Sequence, residues 1–345
     1  MIYTDNYLND LLRVQAAIPH LERLDHSRIL ITGAGGLICS ALVDVLLHRN
    51  DTVDADIHVY AAGRSRAKME KRFARWVDRE DFDFVDYDAS ESFDCQQPFD
   101  YVLHGASPAN PAAYNVQPVE TMAANLFGTY NILRCAKACG AKRVLYISSS
   151  EVYGQKEGTT AYHERDYGFV DILNPRACYP SSKRAAETLC VAYTQEYGVD
   201  TVIVRPGHVY GPTATETDNR ASSQFPRDVL EGRDIVMKSA GAQLRSYCYV
   251  LDCASAILTV LLSGKSGCAY NISNRHSVVT IRQMAQAFAD AAGRRLVFES
   301  ATDAEKRSYN LMDNSALEAS SLEKLGWYGL FDLKAGVQAT LDAMR

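Results

Sequence analysis

The sequence has no apolar stretch long enough to cross a bilayer. Its longest apolar runs, such as Ala256–Leu262, fall far short of the roughly 20 residues that a membrane helix needs. The opening residues Met1–Asn6 also lack the basic segment that begins a secretion signal. We therefore expect a cytoplasmic protein with no membrane partner.

An excess of basic charge is missing too. The formal net charge of the 345 residues is −6, which argues against a broad attraction to nucleic acid or anionic lipid, although a local basic pocket for a phosphorylated small molecule is compatible with it. Hydrophobic residues make up 47% and charged residues 23%, as in ordinary globular proteins. We predict no nucleic-acid partner and either one large domain or two fused domains.

Paired cysteine motifs and metal-ligand motifs are also absent. The nine cysteines are odd in number and form no CxxC pair, and several, such as Cys135, Cys139 and Cys190, fall inside apolar patterns. We expect them to be reduced, buried and small hydrophobic residues. No His, Cys or carboxylate cluster has the spacing of a metal site, so we predict no metal.

The chain does contain a regular alternation of strand and helix patterns. Predicted strands lie at 28–32, 57–61, 82–85, 101–104, 143–147 and 270–273, and predicted helices at 37–48, 125–138, 252–262 and 280–292. Such alternation predicts an α/β fold with a Rossmann-type, doubly wound parallel sheet whose ligand lies at the carboxyl ends of the strands.

We divide the chain into three parts. Residues 1–26 are predicted to be an N-terminal helical extension that serves packing. Residues 27–205 are predicted to form the dinucleotide-binding domain, and residues 206–345 mainly a smaller, C-terminal substrate-binding lobe with some segments returning to the sheet. Periodicity weakens over 207–227, which is expected of a substrate loop.

A glycine turn follows the first strand, with the spacing Gly33-x-x-Gly36-x-x-Cys39. Glycines let a backbone approach a pyrophosphate, and the N–H groups that begin the next helix favour its negative charge. The turn resembles the GxxGxxG turn of the short-chain dehydrogenase/reductase superfamily, with Cys39 at the third glycine. Dinucleotide binding is the expected function, and a plain loop is the alternative.

The end of the second strand bears on which dinucleotide is bound. An acidic residue there would bond the 2′-hydroxyl of NAD, but Arg64 and Arg66 follow instead. Two arginines suit the 2′-phosphate of NADP, although both residues also fit a solvated helix start. Asp88, after the third strand, is expected near the adenine.

The candidate catalytic residues lie between Ser148 and Lys183. Tyr179 and Lys183 are four residues apart, so they share one face of a helix. A tyrosine has a reference pKa of about 10, and ionising it near neutrality requires roughly 4 kcal/mol of stabilisation. We expect Lys183 to supply it and Ser149 to hydrogen-bond the substrate oxygen whose proton Tyr179 removes, which suits alcohol oxidation.

A YxxxK pair alone is more often a solvated helix face. Its order here, after a glycine turn and a serine cluster, makes the signal specific. Further motifs extend over nearly all of residues 27–345: TGAGG at 32–36, HGASPANP at 104–111, NLFGTYNIL at 125–133, SSSEVYG at 148–154, NPRACYPSSKRAAET at 174–188, RPGHVYGP at 205–212, GAQLRSYCYVLD at 241–252 and LGW at 325–327. With these motifs the chain resembles the extended short-chain dehydrogenase/reductases that act as nucleotide-sugar epimerases, dehydratases and decarboxylases.

Within that group the motifs are most similar to the decarboxylases that act on UDP-glucuronate. His208 stands where those enzymes usually have asparagine, and Thr213 where they have arginine. The resemblance implies that Tyr179 takes the proton of the sugar 4-hydroxyl while its C4 hydride passes to nicotinamide, with Lys183 holding the nicotinamide ribose. A C5 carboxylate would then leave as CO₂, and the hydride would return.

Other outcomes stay open on the residues alone. Glu151 is the carboxylate that a 4,6-dehydratase would use, whereas a 4-epimerase would not need it, and Ser150 before it favours decarboxylation. An NADP-linked keto-sugar reductase is suggested by Arg64 and Arg66. A cofactor-sensing binding protein without turnover is kept open by Cys39, His208 and Thr213.

The predicted site follows from these residues and from the resemblance. The catalytic group is Ser149, Ser150, Glu151, Tyr179 and Lys183. The cofactor, NAD or alternatively NADP, is expected to contact Gly33, Gly35, Gly36, Leu37, Ile38, Arg64, Asp88, Ala106, Asn125, Ser148, Tyr179, Lys183, Arg205 and Pro206. The substrate, a nucleotide sugar expected to be UDP-linked, is expected to contact Ser107, Pro108, Arg176, His208, Gln224, Phe225 and Arg245. The resemblance also implies a homodimer through the helices around 125–139 and 185–193.

Overall fold

The computed structural model describes residues 3–95, 97–109, 111–156, 158, 160–300 and 314–345. Its strands are β1 (Arg28–Thr32), β2 (His58–Gly63), β3 (Phe82–Asp86), β4 (Tyr101–His104), β5 (Arg143–Ile147), β6 (Thr201–Pro206), β7 (His208–Tyr210), β8 (Ile235–Met237), β9 (Leu244–Tyr249), β10 (Ala269–Ile272), β11 (Val278–Thr280), β12 (Leu296–Phe298) and β13 (Asn314–Ser315).

The helices alternate with these strands along most of the chain. They are α1 (Asp5–Ala17), α2 (Leu37–Val53), α3 (Arg66–Arg72), α4 (Pro111–Val116), α5 (Pro118–Cys139), α6 (Cys178–Tyr197), α7 (Ala221–Leu230), α8 (Val250–Ser263), α9 (Ile281–Ala291), α10 (Ser320–Glu323) and α11 (Leu333–Met344). None of the helices in these described ranges is both long and apolar enough to cross a membrane.

The central sheet has seven strands in the order β10-β6-β5-β4-β1-β2-β3, and every neighbouring pair is parallel. The chain runs outward from β1 to β3 and then returns to place β4 on the other side of β1. Ligands of such sheets bind where the strand order reverses, at the carboxyl ends. The predicted α/β Rossmann-type fold is therefore confirmed, with its crevice between β1 and β4.

The core strands follow from their sequence. Strand β1 (RILIT) is apolar and β-branched, and four of its five residues are buried, as expected for a strand covered by helices on both faces. Strands β1, β4 and β5 begin and end where the sequence predicts them, and β2 is displaced by one residue at its start. The segment 207–227 differs from its prediction, because it contains β7 and α7 rather than an irregular loop.

The chain after β6 builds smaller sheets beside the main one. Strand β9 pairs with β7, β11 and β13, and β8 pairs with β12. Strand β10 returns to the edge of the central sheet next to β6. The C-terminal half therefore contributes both to the second layer and to the Rossmann sheet.

Helix α1 is held against α2 and α3 by one buried carboxylate. Asp44 on α2 accepts hydrogen bonds from the Tyr7 hydroxyl at 2.9 Å, the Trp76 indole at 3.1 Å and the Tyr3 hydroxyl at 3.0 Å. Its ion pair with Arg72 spans 2.5 Å. Since Asp44 is fully buried, these four partners replace the water that the carboxylate loses on folding.

The cysteines differ from the prediction that all are reduced. Cys95, in the loop after β3, forms a disulfide with Cys135 on α5 across 40 residues of sequence. The remaining seven cysteines are not disulfide-bonded, and five of them are buried. The sequence pattern around Cys135 correctly predicted an apolar helix position but contained no information about its distant neighbour.

Candidate functional site

The glycine turn after β1 lies directly against the turn after β4. Gly33 has φ +69°, and a Cβ there would lie 2.8 Å from the Ala106 backbone. Gly36 begins α2 without a side-chain cap, and its amide is bonded to the Gly33 carbonyl at 2.9 Å. Leu37 and Ile38 follow in the first turn of α2. A turn of this shape presents backbone N–H groups at a helix start, where an anion binds.

Cys39 occupies the third position of the glycine motif without blocking the crevice. Its side chain is buried, and its sulfur lies where a side chain of Gly105 would be, since a Cβ on Gly105 would come within 2.3 Å of it. Cys39 replaces the third glycine of the motif, and the space for its side chain comes from Gly105, which has no side chain of its own. Burial raises the pKa of the Cys39 thiol to about 12, so it is protonated and acts in packing.

We expect Gly105→Ala to destabilise the protein by about 1–3 kcal/mol, the usual cost of overpacking. Adding Cys39→Ala should restore part of the loss because it removes the sulfur, while Ile147, 3.1 Å from the new Cβ, limits the recovery. Denaturant unfolding of the two single variants and the double variant measures the coupling. Losses that simply add in the double variant would contradict this packing account.

The end of β2 holds the residues that bear on the choice of dinucleotide. The Asp88 carboxylate accepts bonds from the Ser90 hydroxyl and amide, which lower the pKa of Asp88, and nearby Arg64 lowers it further. Arg66 lies over the ring of Phe84 and 3.8 Å from Glu70. Arg64 and Asp88 therefore lie near each other, whereas Arg66 contacts Phe84 on β3 and Glu70 on its own helix.

Tyr179, at the start of α6, is buried and held by two neighbours. Its hydroxyl lies near enough to the side chains of Ser149 and Tyr114 for hydrogen bonds with them to lower its pKa, and the Tyr114 and Tyr179 rings stack with centroids 4.5 Å apart. Burial and the charge of Glu151 raise the pKa of Tyr179 to about 12, against the lowering influence of those two bonds and of Arg220. In this state the phenol is protonated at neutral pH.

Lys183 lies one turn along α6 and is also buried. Its ammonium donates to the Ile147 carbonyl at 2.9 Å and lies 5.8 Å from the centre of the Tyr179 ring. Burial lowers the pKa of Lys183 to about 8. In this state burial and the charge of Glu151 outweigh the groups that lower the pKa of Tyr179, so the expectation that Lys183 makes the phenol acidic stays a prediction. The two side chains nevertheless share the face that their spacing predicts.

Ser148, Ser149 and Ser150 end β5 and begin a single 3₁₀ turn. The Ser149 hydroxyl accepts from the Glu151 amide at 3.2 Å, and the Ser148 hydroxyl is buried without a partner among the described residues. Ser150 is buried in the turn. The Glu151 carboxylate receives both terminal nitrogens of Arg176, at 3.0 and 3.2 Å. Burial lowers the pKa of Arg176, but Glu151 outweighs it and the pKa is raised.

A chain of side-chain hydrogen bonds joins β4 to α6. The Ser107 hydroxyl donates to Asn125 at 2.7 Å, and the Asn125 amide donates to Ser182 at 2.9 Å. Asn125 is buried on α5, so it fixes the loop of Ala106 and Pro108 relative to the helix that carries Tyr179. The predicted cofactor residue Asn125 and the predicted substrate residue Ser107 are therefore direct neighbours.

His208, Arg245 and Arg220 form a second group of polar side chains. Burial and the two arginines lower the pKa of His208 to about 3, so its ring is neutral, and its Nδ1 lacks a described partner. Arg245 is buried and donates to the Leu244 carbonyl. Arg220 is paired with Asp218 and lies near enough to Tyr179 for each to shift the pKa of the other.

Thr213 has a role that the sequence did not suggest. Its hydroxyl donates to the Leu37 carbonyl at 2.7 Å, so it links the start of the second lobe to the first turn of α2. Gln224 lies on α7, and its amide nitrogen is 3.5 Å from the Asp218 carbonyl. These bonds hold the segment around Asp218 beside the glycine turn.

Three predicted site residues, Arg205, Pro206 and Phe225, are buried. The Arg205 guanidinium is bonded to both carboxylate oxygens of Glu187, to the Tyr153 hydroxyl and to the Glu164 carbonyl, which joins β6 to α6. The Phe225 ring is buried in the hydrophobic core near Phe288. Pro206 is buried at the end of β6. The motif around Arg205 indicated neither the strand on which it lies nor the partners of its side chain.

Sequence reasoning missed Tyr114 and Arg220. Tyr114 reaches Tyr179 from α4, 65 positions earlier in the chain, and Arg220 reaches it from the residue before α7. Neither lies in a pattern with a mechanistic spacing. Only the fold brings them to the phenol.

The residues at the crevice fit a dinucleotide. A Cβ at Gly33 or Gly36 would fill the cradle of the turn, α2 begins without a side-chain cap, and the Ser148 hydroxyl has no described partner. With Tyr179 and Lys183 on one helix face above the same crevice, the fold and the site define an extended short-chain dehydrogenase/reductase.

Comparison with known proteins identifies the family. The chain matches the NAD dependent epimerase/dehydratase family over residues 29–273. It is 31% identical over 331 residues to UDP-glucuronic acid decarboxylase 1 of Xenopus tropicalis, covering 95% of this chain and 74% of that one. This protein therefore belongs to the NAD-dependent epimerase/dehydratase family, and it is an enzyme whose cofactor is NAD.

Solved structures agree with the fold. A UDP-glucose 4-epimerase of Thermus thermophilus in complex with NAD is similar with a TM-score of 0.76 and 23% identity, covering 92% of this chain and 99% of that one. A dTDP-glucose 4,6-dehydratase of Streptomyces venezuelae, also with NAD, has a TM-score of 0.77 and 23% identity, covering 92% and 96%.

Proposed function

We propose that this enzyme oxidises C4 of UDP-glucuronate and decarboxylates the resulting 4-keto sugar. One observation carries the proposal: the Tyr179 phenol is buried near Ser149 and one helical turn from Lys183, whose ammonium donates to the Ile147 carbonyl at the carboxyl end of β5 and lies near Cys39 of the glycine motif. The decarboxylase relatives support UDP-glucuronate as substrate.

The residues of this chain would bind the substrate oxygen and move its proton. When bound, NAD accepts the hydride of C4 and returns it at the end. Tyr179 removes the proton of the 4-hydroxyl, and Ser149, which lies near the Tyr179 hydroxyl, holds the same substrate oxygen. Lys183 and Arg220 are the nearby cations that favour the phenolate once the crevice is filled.

Carbon dioxide loss then follows from the ketone. The C5 carboxylate is β to C4, so its C–C bond breaks, the electron pair stays as an enolate, and C5 takes up a proton before C4 is reduced. We assign Arg245 to the sugar carboxylate or the diphosphate, because its guanidinium matches either anion and lies beside the neutral His208. Ser107, Pro108, Arg176 and Gln224 remain proposed substrate contacts.

The pairing of Glu151 supports decarboxylation over dehydration. Dehydration needs a carboxylate that is available to remove the C5 proton, whereas Glu151 is bound by both terminal nitrogens of Arg176. Ser150 precedes it, where a second acid would assist the loss of water. Decarboxylation needs no base at C5.

The test incubates the protein and NAD separately with UDP-glucuronate, UDP-glucose and dTDP-glucose, with NMR detection of the products. We expect CO₂ and a UDP-pentose from UDP-glucuronate without net NADH. Conversion of UDP-glucose to its 4-epimer, or of dTDP-glucose to a 4-keto-6-deoxy sugar, would replace the proposal by epimerisation or dehydration. Stoichiometric NADPH consumption would indicate a reductase.

We also propose the organisation and location of the enzyme. Residues 27–205 bind NAD, residues 206–345 mainly bind the sugar nucleotide, and residues 1–26 support them through the buried Asp44. Seven of the nine cysteines form no disulfide, which supports a reducing, cytoplasmic location in which the Cys95–Cys135 pair would be reduced.

We further propose a homodimer through α5 and α6. These helices pack on one another, yet leave large apolar side chains exposed on their outer faces, namely Val119, Met122, Phe127, Tyr130, Val191 and Tyr197. Exposed apolar side chains gathered on neighbouring helices are typical of an interface. A second copy of the same two helices would cover it.

Phe127→Glu is expected to convert the dimer into a monomer, because the ring is 56% exposed at the centre of this surface and a carboxylate would be buried there unpaired. Light scattering after size exclusion should report about half the mass of the parent. Phe298→Glu, at a similarly exposed ring on β12, is the control and should keep the parent mass. A parent that is already monomeric would contradict the proposal.

A further inference from the structure

Three cysteine sulfurs meet where the loop after β3 crosses the end of α5. Cys95 lies in the loop, and Cys135 and Cys139 lie four residues apart on α5, so both point to the same side of the helix. The three sulfur atoms are all within 4.8 Å of one another. Cys139 is 14 residues from Asn125, about 21 Å along the helix, so the group is separate from the catalytic crevice.

The surroundings of these sulfurs suit a bound cation. Cys139 is the last residue of α5, and the negative end of the helix dipole favours positive charge there. The Phe99 and Ala136 carbonyl oxygens lie 4.0 and 3.7 Å from its sulfur. Cys135 is fully buried in an apolar cluster that includes Phe93 and Phe99, whereas Cys95 and Cys139 are half-buried. An ion from solvent can therefore reach the group from one side.

The third sulfur distinguishes a metal site from a simple crosslink. A crosslink between the loop and α5 requires only Cys95 and Cys135, and Cys139 adds nothing to it. Three thiolates that converge within reach of metal–sulfur bonds of about 2.3 Å are instead the donor set of a thiophilic ion. Zn²⁺ and Cd²⁺ accept such a set with water in the fourth position.

We propose that Cys95, Cys135 and Cys139, once the disulfide is reduced, form a binding site for a thiophilic d¹⁰ metal ion. Reduction by a dithiol consumes one dithiol, which becomes a disulfide, and yields two protein thiols. Binding then releases three protons as three thiols become thiolate ligands of one ion. The disulfide and the metal-bound form are two exclusive states of one site.

Either state holds the same loop against α5. The Asn131 amide donates to the Glu91 carbonyl at 2.8 Å, and Arg134 pairs with Asp94 at 2.7 Å. This loop begins at Asp88, on the NAD side of the sheet. An ion that binds the folded protein and not the unfolded chain therefore stabilises the fold, by an amount that rises with the logarithm of the ion concentration over its dissociation constant.

The test titrates the reduced full-length protein with Cd²⁺ and follows the thiolate-to-metal charge-transfer absorption in the ultraviolet. We expect one Cd²⁺ per chain and a higher unfolding temperature for the parent and for Cys268→Ser, which alters a half-buried thiol elsewhere. Cys139→Ser, which leaves the other two sulfurs in place, should lose the stoichiometric absorption and the stabilisation.

Three results would overturn the site. The first is the absence of stoichiometric Cd²⁺ binding by the reduced parent. The second is binding by Cys139→Ser that equals that of the parent, and the third is undiminished binding by the unreduced, disulfide-bonded protein. Circular dichroism of each variant before titration establishes that it is folded, so that a loss of Cd²⁺ binding can be attributed to the removed sulfur ligand.

Discussion

Tyr179→Phe is expected to lower turnover by about 10²–10⁴-fold, the usual contribution of a positioned acid–base group. The variant keeps the ring that stacks on Tyr114 and removes only the hydroxyl near Ser149. NAD affinity should therefore change little, because the glycine turn and Lys183 are untouched. Steady-state rates and NAD titration by fluorescence separate the two effects.

The matched control is Tyr197→Phe, which removes a hydroxyl from the other end of the same helix. Its side chain is exposed, far along α6 from the crevice. The control should retain the parent turnover. Equal turnover in the parent and in Tyr179→Phe would exclude every function that depends on this phenol.

The Asp44→Ala variant is expected to lose about 3–5 kcal/mol of stability, the cost of breaking one side of a buried ion pair. Arg72 would remain buried without its carboxylate, and the Tyr7 hydroxyl and the Trp76 indole would lose an acceptor. Because Tyr7 belongs to α1, the N-terminal helix should detach first. Urea unfolding measures the loss, and limited proteolysis should show earlier cleavage before residue 27.

Two further variants serve as comparisons for the stability loss of Asp44→Ala. Tyr7→Phe removes one of the four partners of Asp44 and should cost only about 1 kcal/mol. Asp78→Ala changes an exposed carboxylate and should stay within about 0.5 kcal/mol of the parent. An Asp44→Ala variant as stable as Asp78→Ala would contradict the assignment of Asp44 as the anchor of α1.

Local pattern was enough to predict the sheet and to place Tyr179 and Lys183 on one face of a helix. Strands such as β1 can be predicted from their apolar, β-branched runs. The glycine turn and the YxxxK spacing each span only a few residues, so they are also visible in the sequence. Their meeting at one crevice follows from the parallel order of the strands. The family and the use of NAD followed from the same motifs.

Contacts between distant segments were not predictable in this way. The fit of Cys39 depends on Gly105, the disulfide joins residues 40 apart, and Tyr114 reaches Tyr179 from another helix. The motif around Arg205 does not indicate which carboxylate pairs with its guanidinium. The pKa of Tyr179 is likewise decided by burial and by Glu151, which are consequences of packing.

The most direct measurement follows the C4 hydrogen through a single turnover. UDP-glucuronate deuterated at C4 is incubated with the enzyme and unlabelled NAD, and the product is examined by NMR. Oxidation at C4 with return of the same hydride predicts a decarboxylated UDP-pentose that keeps deuterium at C4. A product that has lost the label, or label that accumulates in free NADH, would contradict the account.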